Sequence, residues 1–188
     1  MDSLRRGSLI IKQIIREITI KDLEYEKFKI YDRYQVTRKK VEIKDNKRIV
    51  KDIYFINKWT EEQIKSLVEE LKKDLLKDGF IIGAFEGEQV IAFAGIRKGF
   101  FGNKHQYLQM PYMHVSKQFR GLGIGKKLFY ICVEKAKEMR ADKIYISSHP
   151  AIETQKFYES VGCILADEVN QQLKKLEPHD IHLEYCLK

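Results

Sequence analysis

Gly121, Gly123 and Gly125 stand two residues apart in the stretch VSKQFRGLGIGKKLF, with Arg120 before them and Lys126 and Lys127 after. An apolar strand pattern precedes this stretch and an amphipathic helical pattern follows it. A chain that turns through glycine into a helix presents unpaired N–H groups at the helix N-terminus, where the dipole also favours an anion. Phosphate is the natural ligand, because residues without a Cβ let its oxygens reach the backbone while flanking cations add attraction. The plainer alternative is a tight strand-to-helix connection that uses glycine for packing. Two common phosphate motifs do not fit. The pattern G-x-x-x-x-G-K-[ST], set on Gly125-Lys126, needs glycine where Arg120 stands and Ser or Thr where Lys127 stands. The pattern G-x-G-x-x-G, set on Gly121 and Gly123, needs a third glycine where Lys126 stands.

The elements that must hold this loop can be read on either side of it. Leu9 to Thr19 fits a strand or a helix, and the segment from Leu23 reads as a short tyrosine-rich helix. Residues Gln35 to Ile56 read as two strands around a turn at Asp45-Asn46. Thr60 and Gln63 fit a capping box and Trp59 and Ile64 a hydrophobic staple, so a helix is predicted from there to about Lys77, stopped by Asp78-Gly79. Ile64, Leu67, Val68, Leu71 and Leu75 form its apolar face. FIIGAF and QVIAFAGI make a hairpin apolar enough to be buried on both faces. After a loop from Arg97 to Lys104, HQYLQMPYMHV is a strand interrupted or bulged at Pro111, which has no N–H for a ladder. A helix then runs from Leu122 or Gly123 to about Met139, KIYIS is a strand, and IETQKFYESVG is a short helix ended by Gly162. CILADEV and DIHLEYCL are the final strands, the second alternating Ile181, Leu183, Tyr185 and Leu187 against His182, Glu184 and Cys186. The fold class is mixed α/β (α+β), with a largely antiparallel central sheet flanked by helices and one domain over 1–188.

QFRGLGIG resembles the [QR]-x-x-G-x-[GA] acyl-CoA loop of the GNAT superfamily of N-acyltransferases, in two overlapping frames. Gln118, Gly121 and Gly123 satisfy one, and Arg120, Gly123 and Gly125 the other. The family follows this loop with a helix, a strand and a short helix carrying a Phe-Tyr pair before a glycine. Phe157, Tyr158 and Gly162 stand in that order here, and the resemblance spans roughly Phe80 to Cys163. One position departs from the pattern: many members carry asparagine six residues before the Phe-Tyr pair, contacting the pantetheine arm, where this chain has Ala151. Ser147, Ser148 or His149 is the candidate replacement, with Ser148 assigned to the cofactor site.

The resemblance implies acetyl-CoA as acyl donor. Its pyrophosphate would lie on the backbone of Arg120, Gly121, Leu122, Gly123, Ile124, Gly125 and Lys126, and its pantetheine arm along the strand carrying Met113 and Val115. N–H groups there would polarise the thioester carbonyl. An amine would attack directly, and Tyr158, a phenol with an ordinary pKa of about 10, would protonate the departing thiolate. His114, His149 and Glu153 are candidate acceptors of the amine's proton, and none is assigned. The five histidines show no metal-ligand spacing, so no metal is expected.

With 188 residues, 44% hydrophobic and 33% charged, the chain has an ordinary globular balance. A formal charge of +8 favours anionic partners. Acidic residues interrupt the basic ones in nearly every segment, which disfavours nucleic acid as the main partner. A non-catalytic acyl-CoA sensor remains the closer rival to an enzyme. Cys132, Cys163 and Cys186 form no C-x-x-C pair and read as buried thiols in a reducing, cytoplasmic setting. Charged residues break the apolar run near the start, so neither a signal peptide nor a membrane partner is expected. The acceptor would meet the amino-terminal helix, the hairpin and the Arg97–Lys104 loop. Polyamines, aminoglycosides, amino acids and protein amines all qualify, and oligomeric state is left open, a homo-oligomer included.

Overall fold

The computed structural model describes residues 13–45 and 47–187. Residues 9–12 of the predicted first element and Asn46 of the predicted turn lie outside them. Seven strands form one sheet: β1 (Ile14–Glu17), β4 (Phe80–Glu86), β5 (Gln89–Phe101), β6 (Tyr107–Val115), β7 (Lys143–Ser148), β8 (Ile164–Leu165) and β9 (Ile181–Cys186). Their spatial order is β1-β4-β5-β6-β7-β9-β8. Every neighbouring pair is antiparallel except β6 and β7. Strands β2 (Gln35–Lys44) and β3 (Lys47–Asn57) make a separate two-stranded hairpin.

The helices cover both faces of the sheet. Helix α1 (Glu61–Leu76) starts as its capping box predicts: the Gln63 N–H donates to Thr60 Oγ1 at 3.3 Å, and the Thr60 N–H donates to Gln63 Oε1 at 2.8 Å. Its Ile64, Leu67, Val68 and Leu71 pack with Ile81, Phe85, Phe93 and Tyr112 on one face. Helix α2 (Ile124–Glu138) covers the other, packing Leu128, Phe129, Cys132, Val133 and Ala136 against Ile82, Ala84, Leu108, Met110 and Ile144. Because each face has its own cover, β4 is buried along six consecutive residues, as its apolar run predicts. Helices α3 (Ile152–Ser160) and α4 (Gln171–Leu176) complete the chain.

Several expectations are corrected. The tyrosine-rich segment forms only a 3-10 turn over Tyr25–Phe28, followed by a turn at Lys29-Ile30 and irregular backbone to Gln35. The expected loop after Ile96 is instead strand through Phe101, made possible by register shifts around Arg97. CILADEV contributes two strand residues, Ile164 and Leu165, and α4 was not anticipated. The final strand does not alternate between core and solvent: His182 and Glu184 are buried too, 9% and 0% exposed. Glu184 is compensated there, accepting from Tyr107 Oη at 2.5 Å and Lys143 Nζ at 2.7 Å. Cys132 and Cys163 are buried as expected, whereas Cys186, the last residue of β9, is exposed.

Candidate active site

Strands β6 and β7 pair only over Tyr107–Gln109 and Lys143–Tyr145. Pro111 explains the parting. It has no N–H, and the register of β6 against β5 shifts between Gln109 and Tyr112. Beyond that shift, Met113, His114 and Val115 remain paired with β5 but not with β7. The Ser116 N–H donates to the Ile91 carbonyl at 2.8 Å. Antiparallel alternation then turns the His114 backbone toward β5 and the Met113 and Val115 backbones toward the seam. Two N–H donors therefore line an open strand edge, the requirement for gripping an extended amide-bearing chain.

Arg120 closes the other demand of that edge. Its Nε donates to the Val115 carbonyl at 2.9 Å and its Nη1 to the Tyr34 carbonyl at 2.9 Å. Sequence reasoning gave this guanidinium to the phosphates. The structure uses it to tie the glycine loop to β6 and to the segment before β2. After it, Gly121 and Gly123 hold φ of 78° and 77°, left-handed values at which a side chain is strained. Among the described residues a Cβ at either would meet nothing within 4 Å, so both face open space. Among the described residues the N–H groups of Gly121, Leu122 and Gly123 donate to no backbone carbonyl. Those of Ile124, Gly125 and Lys126 belong to the unpaired first turn of α2. Gly125 differs, since a Cβ there would sit 3.4 Å from both Phe157 Cε2 and Val115 Cγ2; its role is close packing of α2 against β6 and α3. Leu122 and Lys126 are exposed. The loop thus fits a pyrophosphate through its backbone, with Lys126 and Lys127 left for charge.

Tyr158 lies across the seam on α3. It is 6% exposed and packs edge-on against Phe157 at 5.2 Å. Burial pushes the phenol well above its ordinary pKa, with Cys163, Asp180 and Cys132 adding to the rise, so it holds its proton at neutral pH. One helical turn earlier sits Gln155, a residue sequence reasoning passed over. It is 1% exposed, and its Nε2 donates to Ser148 Oγ and to the His149 carbonyl, each at 2.9 Å. Ser148 Oγ in turn donates to the Ile181 carbonyl at 2.7 Å. Its hydroxyl is thereby committed to joining β7, β9 and α3. Among the described residues Gln155 Oε1 is buried without a partner. Ala151, at the family's asparagine position, is fully buried, so Gln155 is the nearest amide side chain on the same helix.

The β2–β3 hairpin docks on the β7–α3 connection. The Val41 N–H donates to the Pro150 carbonyl at 2.8 Å, Phe55 packs 5.4 Å from the His149 ring, and Arg48 forms an ion pair with Glu159. His114 points away from Met113 and Val115, as strand alternation predicts, onto Trp59 at 5.0 Å and Phe93 at 5.2 Å. Burial, with Arg33 and Arg120 nearby, pushes its pKa down to about 3. His149 is lowered as well, by burial and then Arg33, and its Nδ1 already accepts from the Ala151 N–H at 3.2 Å. Neither histidine is placed to take a proton from an amine, and Glu153 is exposed in the first turn of α3. Among the described residues no group of His, Cys, Asp and Glu is arranged to hold a metal. A surface cleft of about 700 Å³ lies away from the seam between Tyr25–Lys29 and α1. Paired Glu61–Lys65 and Glu69–Lys72 line it, and it contributes nothing to the glycine loop.

The comparisons agree with this geometry. A search by sequence against curated proteins finds no match. Among solved structures, a protein described as a streptothricin acetyltransferase from Bacillus anthracis, in complex with acetyl coenzyme A, superposes with a TM-score of 0.69 at 21% identity. That alignment covers 94% of this chain and 99% of the other. Nourseothricin acetyltransferase gives 0.68 at 12% identity with the same coverages, and the PaiA N-acetyltransferase from Thermoplasma acidophilum, with coenzyme A, gives 0.58 at 15% over 93% and 99%. These likenesses are of fold. The family model of the acetyltransferase (GNAT) family matches residues 45–163, the span that holds the open β6 edge, the glycine loop and Tyr158, and the chain therefore belongs to the GNAT acetyltransferase family.

Proposed function

We propose that this enzyme transfers the acetyl group of acetyl-CoA to a primary amine by direct attack in a ternary complex. The observation that carries the reading is the convergence at one seam of three things. These are the outward N–H groups of Met113 and Val115, the unpaired N–H groups from Gly121 to Lys126, and the protonated phenol of Tyr158. The glycine loop and first turn of α2 bind the pyrophosphate. The β6 edge binds the pantetheine amides and orients the thioester. The Gln155 amide oxygen, unpartnered and one turn from Tyr158, accepts from the arm in place of the family's asparagine. The amine nitrogen forms its bond to the acyl carbon, the C–S bond breaks, and Tyr158 gives its proton to the departing sulfur.

The acceptor is proposed to be a small cationic amine of the streptothricin, aminoglycoside or polyamine kind, which enters beside the hairpin. The names of the similar structures support that class. A screen of acetyl-CoA turnover against streptothricin, aminoglycosides, polyamines and amino acids, read as free thiol, tests it. An acyl-CoA sensor would bind the cofactor and release no thiol with any acceptor.

A further inference from the structure

We propose that Asp180 is the group that receives the acceptor's ammonium and removes its proton. The proposal rests on the acetyl-transfer reading above. Asp180 immediately precedes β9, where Ile181 pairs with Ser148 and His182 with Ser147. Ser147 belongs to the part of β7 that has parted from β6, and its Oγ donates to Asp180 Oδ2 at 3.0 Å. The charge of Asp180 also adds to the rise of the Tyr158 pKa. The carboxylate therefore stands beside the end of β7 that opens away from β6.

Asp180 also lacks what the three most buried carboxylates have. Asp22 is bonded to Arg16, Asp74 to Arg97 and Glu184 to Lys143. In a chain of net charge +8, Asp180 is partly buried and among the described residues has no ion-pair partner. The groups facing it are Ser147 from β7, Tyr158 from α3, and Glu177 and His179 from its own segment. His182 shares the Ser147 face of the sheet but is engaged by Tyr145 Oη at 2.9 Å. Of that set only His179 can bring positive charge, and it forms no ion pair with Asp180, which leaves the carboxylate open to a ligand that carries its own.

Loss of solvent pushes the Asp180 pKa up to about 6. The nearby Glu177 raises it further, while Ser147 and then His179 oppose the rise. A carboxylate at that value is ionised at neutral pH yet basic enough to take a proton. The steps balance as follows. The ammonium gives one proton to Asp180, which later releases it to solvent. The neutral nitrogen bonds to the acyl carbon and expels the sulfur, which takes the Tyr158 proton. The nitrogen's remaining excess proton restores Tyr158. One proton and one coenzyme A thiol are released per amide.

The test uses the full chain with its aspartate carboxyls labelled with ¹³C, Asp180→Asn assigning the signal, and n-butylammonium chloride and streptothricin as probes. In the coenzyme A complex at pH 7.5, the Asp180 signal should move saturably with n-butylammonium. Asp180→Asn should keep the parent affinity for coenzyme A. With streptothricin its kcat/KM should fall at least about 100-fold and lose the acid limb near pH 6. Ser147→Ala, which removes a donor to the carboxylate, should retain turnover and move that limb to higher pH. An unmoved signal, or parent kcat/KM with an intact acid limb in Asp180→Asn, overturns the role of Asp180 while acetyl transfer stands. A parent protein that binds no coenzyme A overturns acetyl transfer, and this proposal with it.

Discussion

Placing a charge at Gly123 is the most direct test of the loop, and the structure separates its two effects. The residue holds φ of 77°, so any side chain pays backbone strain of roughly 1–2 kcal/mol, less for asparagine, which tolerates this region. Nothing lies within 4 Å of the added Cβ, so no steric clash with protein confuses the result. Gly123→Asn and Gly123→Asp share shape and differ by one unit of charge. At about 5 Å from a phosphate and an effective dielectric near 20, that charge costs about 3 kcal/mol. Flexible placement and salt reduce this, leaving at least about 1.4 kcal/mol, or tenfold in affinity. Calorimetry should find the Asp variant binding coenzyme A at least tenfold more weakly than the Asn variant, with the gap narrowing in 0.5 M salt. Equal affinities in two folded variants would refute the placement of phosphate at this loop.

Tyr158→Phe should leave folding and coenzyme A affinity nearly unchanged while slowing the chemical step at least tenfold, seen by single-turnover kinetics so that product release cannot mask it. Asp74→Ala strands Arg97 and the Tyr112 hydroxyl, which donates to Asp74 at 2.8 Å, and should cost about 3 kcal/mol in urea unfolding. Arg16 holds the Asp22 pKa below the carboxylate range. That pair therefore stabilises the fold above the unfolded value near 3.9 and is lost as pH falls toward the folded one, so acid titration of Asp22→Asn should be flatter in that window. Thr60→Ala breaks the capping box and should lower stability by about 1 kcal/mol.

The cofactor half of the site was legible because its chemistry is local. Glycines at alternate positions, the strand before them and the helix after lie within one stretch, and the Phe157-Tyr158 pair follows by one strand. The bulge at Pro111 was equally readable, since a missing N–H has a fixed consequence in a ladder. What the sequence hid depends on residues far apart. The Arg120 guanidinium satisfies Val115 and Tyr34 carbonyls, 5 and 86 residues away, and no spacing rule anticipates that. Gln155 sits at an inward position of α3 where Ser148 and the His149 carbonyl receive its amide, so its burial follows from tertiary placement. His182 and Glu184 looked solvent-facing because alternation assumes one covered face, whereas the residue 166–180 segment and Tyr107 enclose the second. Asp180 gave no signal for the same reason: its neighbours Ser147 and Tyr158 come from other elements.

The position of β9 has a kinetic consequence. It follows β8 in the chain but lies inside it in the sheet, between β7 and β8. While the polypeptide is being made, β7 keeps a bare hydrogen-bonding edge and β8 has no neighbour to join until residues 181–186 emerge and insert. Such an insertion is a non-local closure, slow by contact order, and it leaves an edge open to pairing with another chain in the meantime. Mutations that weaken β9 should therefore show first as aggregation during synthesis, before any loss of activity in the molecules that do mature.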